Sequence, residues 1–245
     1  MRSELVGVSV LLTRNDPRLA RLLAEREARV VTLPCVWTEP LDRVSLRHAL
    51  AGIGANDALV LTSAAGVDAV AAAVELRELP CRVAVVGPAT AARLRARGRE
   101  PDQVASAPSG AALARELVLP EGEAVLARSD LAPDDLPAIL RARGARVREL
   151  IAYRTHAEAR GDVGAAREAL ASDRAACVVA SPSALAGLVA AVGPECVRHA
   201  LVVAIGPTTA AAVTRELAAA PLVAVAPEAQ AVADVLEEGL RVAAG

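Results

Sequence analysis

Hydroxyl and amide groups follow buried strands at matching places in the two halves of the chain. ALVLTS (Ala58–Ser63) and CVVAS (Cys177–Ser181) are apolar segments that end in serine. VAVVGPAT (Val83–Thr90) and VVAIGPTT (Val202–Thr209) are apolar segments that end in Gly-Pro and hydroxyl residues. Backbone N–H groups at helix N-termini, together with hydroxyls, bind carboxylates or phosphates. The pattern therefore predicts two similar anion-binding edges, which could face each other across a cleft and hold one ligand.

Two arginines add positive charge at equivalent places. Arg14 and Arg128 each end an apolar strand, and a guanidinium group binds carboxylates through paired hydrogen bonds. Ligands of open parallel sheets bind beyond the carboxyl ends of the strands. The candidate anion-binding residues at those ends are Arg14, Ser63, Gly87, Thr90, Ser109, Arg128, Ser181, Ser183, Gly206, Thr208 and Thr209.

Each of these residues also has an ordinary structural explanation. Serine and threonine before a helix are typical N-caps, and Gly-Pro is typical of a helix start. Arg14 and Arg128 could simply pair with Asp16 and Asp130. The recurrence of the same groups at matched strand ends in both halves favours anion binding over capping alone.

Composition excludes several kinds of function. The chain of 245 residues contains no lysine, which excludes a Schiff-base lysine and a P-loop lysine. Its formal net charge of −2 gives no overall field that would attract nucleic acid. With no Phe, one Trp and one Tyr, it offers little aromatic surface for stacking on bases. We expect a small-molecule ligand and neither nucleic acid nor membrane as a partner.

The cysteines and the N-terminal segment predict a reduced, cytoplasmic protein. Cys35, Cys81, Cys177 and Cys196 share no CxxC spacing, and three of them lie in or beside apolar runs. They are therefore predicted to be reduced structural residues, and no metal site is predicted. Glu4 interrupts any signal-peptide core, and no segment is apolar enough to cross a membrane.

Alternating strand and helix patterns position these groups. Continuous Val, Leu, Ile and Ala runs are typical of parallel strands that are covered on both faces, and Ala- and Leu-rich helical patterns fill most gaps. This alternation predicts an α/β fold with right-handed crossovers. The predicted strands are Val8–Arg14, Arg29–Pro34, Ala58–Thr62, Arg82–Val86, Gln103–Ser106, Ala124–Arg128, Arg146–Ile151, Ala176–Ala180, Leu201–Ile205 and Leu222–Ala226.

A second repeat predicts a discontinuous domain. Gly7–Pro34 aligns with Gly122–Ile151, since both read Gly, strand, Arg, acidic turn, Leu-rich helix, Ala-Arg-Val and strand. The C-terminal part of the chain lacks this unit, so we expect the N-terminal segment to complete it. The predicted domain 1 is residues 1–34 with 157–245, domain 2 is residues 38–150, and residues 35–37 and 151–156 are linkers. Each domain would contain five parallel strands.

The ordered set of motifs resembles the uroporphyrinogen-III synthase family. The matching segments are LLTR, LVLTS, VVGPAT, VLARSD, ELIAYRT, VVASPSAL and AIGPTT, in this order and over essentially the whole chain. The resemblance implies two flavodoxin-like, doubly wound parallel-sheet domains joined by a two-strand linker. It also implies a lyase without a cofactor, which closes the linear tetrapyrrole hydroxymethylbilane with inversion of ring D and loss of water, in heme, siroheme or cobalamin biosynthesis.

This resemblance implies roles for particular residues. The substrate carries carboxylates on every pyrrole ring, which the amides, hydroxyls and two arginines could hold. Tyr153, the sole tyrosine, is the best candidate to donate a proton to the departing hydroxyl. Alternatively, its ring packs against Trp37. The turn after Arg128 is Ser-Asp-Leu and departs from the family pattern, which puts the role of Arg128 in doubt.

Other classes of protein are compatible with the same residues. The main alternative is a two-lobed small-molecule binding or sensor protein for a polycarboxylate ligand. A sugar-nucleotide transferase built from paired Rossmann-like domains is a further one, although such enzymes usually span more residues. The enzyme is expected to be a monomer.

Overall fold

The computed structural model describes residues 3–119, 121–226 and 228–244 and shows an α/β protein. The strands are β1 (Ser9–Leu12), β2 (Arg29–Thr32), β3 (Trp37–Pro40), β4 (Ala58–Leu61), β5 (Arg82–Val85), β6 (Gln103–Val104), β7 (Glu123–Ser129), β8 (Arg146–His156), β9 (Ala175–Val179), β10 (Leu201–Ala204) and β11 (Leu222–Val223). The helices are α1 (Pro17–Glu25), α2 (Arg43–Leu50), α3 (Ala64–Ala73), α4 (Pro88–Ala96), α5 (Gly110–Glu116), α6 (Asp135–Ala142), α7 (Val163–Leu170), α8 (Pro182–Val192), α9 (Pro194–His199), α10 (Pro207–Leu217) and α11 (Ala229–Ala244).

The strand predictions are confirmed in position, with differences in length. Every strand that the sequence predicts is present. β6 and β11 are reduced to two residues each, and β8 continues beyond Ile151 to His156. β3 was not predicted, because Trp37–Pro40 contains Glu39 and Pro40 and has no apolar run.

The first compact unit consists of residues 1–37 and 156–245. Its sheet has the strand order β2-β1-β9-β10-β11, and every pair in it is parallel. In order of position along the chain this is 2-1-3-4-5, a common order of doubly wound sheets. All four residues of β1 are buried, and one apolar cluster packs on each face of the sheet. The N-terminal strands thus occupy the same sheet as the C-terminal ones.

The second compact unit consists of residues 38–155. Its sheet has the order β3-β8-β7-β4-β5-β6, and the ladders from β8 to β6 are parallel. β8, β7, β4, β5 and β6 correspond, through the two sequence repeats, to β2, β1, β9, β10 and β11 of the first unit. The repeats therefore occupy the same spatial order in both units, although they follow each other differently along the chain.

A cluster around Trp37 extends the first unit beyond the range expected from the sequence. The indole stacks on the His156 ring with centroids 3.9 Å apart, and the Arg160 guanidinium lies 3.5 Å from the indole centroid. Trp37 Nε1 donates to Glu158 Oε2 at 2.9 Å. These contacts draw Trp37 and His156, which the sequence placed in linkers, into the first unit.

Helix α8 packs closely on two segments of this unit, the one that follows β2 and the one that follows β8. A Cβ atom on Gly187 would lie 2.2 Å from the carbonyl oxygen of Cys35 and 3.0 Å from the backbone nitrogen of Glu158. Only glycine permits this approach. The Arg160 N–H also donates to the Pro34 carbonyl at 2.8 Å, so the outgoing and returning segments lie side by side.

The four cysteines are free thiols, and most of them are buried. Cys35, Cys81 and Cys177 are buried and Cys196 is half-buried. Burial raises the pKa of the Cys35 thiol to about 12 and raises the pKa of the Cys177 thiol as well. These thiols are poor nucleophiles at neutral pH. Among the described helices, none is long and apolar enough to cross a membrane.

We propose that each unit is a separate domain, and a polypeptide of residues 38–155 should therefore unfold cooperatively on its own. A polypeptide of residues 157–245 should not, because it lacks β1, the strand that lies between β2 and β9. Circular dichroism during thermal unfolding measures both. A cooperative transition of residues 157–245 alone would contradict the proposal, and fusion of residues 1–34 to that polypeptide is the matched control.

Candidate functional site

Tyr153 lies at the carboxyl edge of the second unit, where its hydroxyl meets Ser63. The two hydroxyl oxygens are 2.8 Å apart. Ser63 ends the segment after β4 and caps α3 by accepting the N–H of Gly66 at 3.0 Å. The Tyr153 residue is only 7% exposed, and its ring packs in the apolar core against α3. The indole of Trp37, the ring that the sequence offered as a packing partner of Tyr153, stacks on the His156 ring.

Gly66 makes room for this arrangement. A Cβ atom on Gly66 would lie 3.1 Å from the carbonyl oxygen of Ala127 and 3.8 Å from Cε1 of Tyr153. A side chain there would crowd both the end of β7 and the tyrosine ring. Gly66 was not among the predicted site residues, although its position three residues after a capping serine was the available signal.

Serine residues cap three helices at the carboxyl edges. Ser63 caps α3, Ser109 caps α5 through Ala112 N–H at 3.1 Å, and Ser181 caps α8 through Ala184 N–H at 3.1 Å. Their side chains therefore serve the structural role that was the alternative to anion binding. Ser183, in the first turn of α8, is half-buried, and its hydroxyl has no partner among the described residues.

The two Gly-Pro segments differ from the serine segments because their helices lack caps. α4 begins after Gly87 and α10 after Gly206, and in the described chain neither helix has a side-chain cap. The first N–H groups of a helix have no partner within it. Thr90 and Thr209 are buried in these first turns, while Thr208 is exposed. The partial positive charge of each helix start is thus available to an anion.

Arg14 lies at the carboxyl edge of the first unit, next to a tightly held strand end. Its guanidinium pairs with Asp16 at 2.8 Å, as the structural alternative predicted, and its side chain remains 46% exposed. The preceding Thr13 is buried, donates to the Val178 carbonyl at 3.0 Å and accepts the Ala180 N–H at 2.9 Å. These bonds join β1 to β9 just before Arg14.

The buried guanidinium of Arg128 is held by other groups of the same unit. Its side chain is 7% exposed, with Nη1 3.1 Å from Glu149 Oε2 and Nη2 donating to the carbonyls of Ala132 and Pro133. The pairing with Asp130 that the sequence allowed is replaced by Glu149 and by Asp134 at 3.4 Å. The guanidinium thus anchors the loop between β7 and α6, and this geometry gives no support to a role in substrate binding.

The groups that hold the end of β8 were not predicted from the sequence. Asp130 forms hydrogen bonds with the backbone of Tyr153 and Thr155, and Ser129 forms one with the Thr155 hydroxyl. The only signal was their position after the strand that ends at Arg128, and there Asp130 was considered solely as a partner of that arginine.

Comparison with known proteins identifies relatives of the whole chain. The family model described as Uroporphyrinogen-III synthase HemD matches residues 17–234. No curated protein sequence matches the chain. A mutant uroporphyrinogen III synthase from Thermus thermophilus is similar in structure, with a TM-score of 0.63, 22% identity, and coverage of 97% of this chain and 99% of that one.

Two further solved structures have the same fold. The wild-type Thermus thermophilus enzyme in another crystal form has a TM-score of 0.51 and 20% identity, with 98% of this chain and 100% of that one covered. Uroporphyrinogen-III synthetase from Helicobacter pylori has a TM-score of 0.60 and 17% identity, with 96% of this chain and 99% of that one covered. At these identities the likeness shows the fold.

The Ser63–Tyr153 hydrogen bond should be measurable as stability. Ser63→Ala removes a helix cap and this bond, whereas the matched control Ser109→Ala removes only a cap. We expect losses in the free energy of unfolding of about 2 and about 1 kcal/mol, respectively. Equilibrium unfolding in urea measures both variants. In a Tyr153→Phe background the two serine variants should cost the same, and equal losses in the natural background would contradict the bond.

Proposed function

Since the chain belongs to the uroporphyrinogen-III synthase family, we propose that residues at the carboxyl ends of its parallel strands bind hydroxymethylbilane and promote its cyclisation. The chain is a cyclising hydro-lyase of tetrapyrrole biosynthesis, and the observation that carries this assignment is the family match over residues 17–234. The roles of individual residues of this chain in the reaction are proposals.

The reaction needs a group that assists departure of a hydroxyl. The hydroxyl takes up the donated proton and leaves the hydroxymethyl carbon as water, which gives a protonated azafulvene. A substituted carbon of the last pyrrole ring then attacks it. The resulting spiro intermediate fragments and closes again at the unsubstituted carbon of that ring, so that ring D is inverted. This closure releases one proton, which restores the donor, and one water is lost overall. The pyrroles supply the electrons, and the enzyme holds the bilane and directs its folding.

The Ser63–Tyr153 pair supplies one proton to this step. The two hydroxyls carry two protons, of which one lies in the hydrogen bond between them. Ser63 Oγ also accepts the Gly66 N–H, which uses an oxygen lone pair and no hydroxyl proton. Whichever hydroxyl donates within the pair, one O–H remains for the leaving hydroxyl. Tyr153 is the proposed proton donor, either directly or through Ser63.

The helix starts without side-chain caps are the proposed carboxylate sites. The N–H groups at the beginning of α4, after Gly87, and of α10, after Gly206, can donate to a carboxylate without giving up a side-chain cap. Thr208 and Ser183 add hydroxyls, and Arg14 adds an exposed guanidinium. The other proposed binding residues, in the first turn or at the start of their helices, are Ser63, Thr90, Ser109, Ser181 and Thr209.

We further propose that the enzyme is a cytoplasmic monomer that needs no cofactor and binds neither nucleic acid nor membranes. Its formal net charge of −2 and its free, mostly buried thiols support this proposal.

The reaction is tested with freshly generated hydroxymethylbilane. After oxidation and separation of the porphyrins, isomer III should dominate, with no added metal or nucleotide and after treatment with a chelator. Spontaneous closure yields isomer I, so a reaction without protein is the control. Isomer I alone in the presence of the protein would contradict the assignment.

Tyr153→Phe tests the proton donor. The ring keeps its packing, so the melting temperature should fall by only about 2–4 °C, the cost of losing one hydrogen bond. In contrast, kcat should fall by roughly 10²-fold, as for loss of a positioned general acid. Some activity should remain because the substrate can ionise unaided. Initial rates of isomer III formation and thermal unfolding measure both effects. A fully active Phe variant would remove Tyr153 from the catalytic residues, and Tyr153→Ala separates loss of packing from loss of the hydroxyl.

A further inference from the structure

The end of β8 contains an irregularity that decides which way Tyr153 faces. β7 and β8 stay in register as far as Arg128 and Ile151, but Ser129 lies opposite Tyr153 and Ala152 is skipped. Successive side chains of a regular strand point to opposite faces. Ala152 and Tyr153 nevertheless pack in the same apolar core. The extra residue therefore turns Tyr153 onto the face of α3 and Ser63, as β-bulges commonly do beside active sites.

Asp130 forms hydrogen bonds with the backbone of β8 at Tyr153 and at Thr155, just beyond it. Its N–H donates to the Tyr153 carbonyl at 3.2 Å, and its Oδ1 accepts the Thr155 N–H at 2.9 Å. Ser129 Oγ donates to the same Oδ1 at 3.0 Å and lies 2.7 Å from Thr155 Oγ1. These bonds link the chain after the end of β7 to β8 beyond the extra residue, where the regular ladder is interrupted.

The side chain of Asp130 is suited to this role because it stays ionised. The Thr155 N–H, with a smaller contribution from the Ser129 hydroxyl, holds the pKa of Asp130 below its ordinary value. An ionised carboxylate is a stronger acceptor than a neutral group. The extra residue itself is also held, because the Ala152 carbonyl accepts the Leu41 N–H at 3.2 Å.

We propose that Asp130 is a positioning residue for the reaction, because it closes the bulge around Tyr153 and holds the phenol hydroxyl against Ser63. Asp130 has no contact with the reacting atoms in this proposal and acts through Tyr153. The inference rests on the proposed donor role of Tyr153.

Tyr153 is the only tyrosine, so its placement can be measured directly. Protein labelled with ¹³C at tyrosine Cζ gives a single resonance, whose shift reports the hydrogen bond of the phenol. The test compares Asp130→Ala and Asp130→Asn in the full chain. The matched control is Asp57→Ala, because Asp57 also accepts a backbone N–H in the second unit, that of Glu123, at the opposite end of β7 from Tyr153.

Asp130→Ala should shift the Cζ resonance and lower kcat about 10-fold, with KM changed less than about twofold, since a small misplacement of a catalytic group acts mainly on turnover. Asp130→Asn retains an acceptor for the Thr155 N–H and should recover most of the activity. In a Tyr153→Phe background, Asp130→Ala should have no further effect on kcat. Asp57→Ala should leave both the resonance and kcat unchanged.

An unshifted resonance in Asp130→Ala would overturn the inference, and so would an equal loss of kcat in the Asp57→Ala control. A loss of kcat that persists in the Tyr153→Phe background would overturn it too, because Asp130 would then act by another route. A fully active Tyr153→Phe would instead refute the donor role. The resonance is read independently of activity, so the two failures are distinguishable.

Discussion

Parallel strand pairing sets where chemistry can occur in each unit. Strands that run in one direction must be joined by crossover helices, so the helices between them begin at the edge where the strands end. In both units this edge gathers hydroxyls, backbone N–H groups and the ends of apolar strands. The side chains of Ser63, Ser109 and Ser181 cap three helices. The helices that begin after Gly87 and Gly206 have no side-chain cap within the described residues. Parallel pairing thus brings to one edge both capped helix starts and helix starts whose first N–H groups have no side-chain cap.

The placement of Tyr153 shows how a departure from regular pairing serves the same edge. A strand in strict register would direct the phenol away from α3. The skipped residue at Ala152 reverses its direction, and the N–H groups of Leu41 and Asp130 donate to the carbonyls of Ala152 and Tyr153. The ring is then fixed by core packing and its hydroxyl by Ser63. An enzyme with a single tyrosine relies on this local geometry to orient it.

Much of the fold was predictable because buried parallel strands are continuous apolar runs. The repeats located the carboxyl edges for the same reason. β3 was missed because Glu39 and Pro40 leave no such run, and its pairing depends on the distant strand β8.

The side chains were harder to predict than the strands. The role of Arg128 depends on a loop that folds back to bring the carbonyls of Ala132 and Pro133 to its guanidinium. The partner of Tyr153 depends on register between β7 and β8, and a single skipped residue reverses the expected face. Neither property is visible in local sequence patterns.

The closeness of the two connecting segments has a consequence for the order of folding. β1 and β9 pair although unit 2 lies between them in sequence, and an unfolded insertion of that length would oppose the pairing through loop-closure entropy. The second unit is contiguous, and its ends lie on the neighbouring strands β3 and β8. A folded second unit replaces a long flexible loop by a short connection, so that the Pro34 carbonyl and the Arg160 N–H can meet at a smaller entropic cost. Folding of the second unit therefore favours the pairing of β1 with β9.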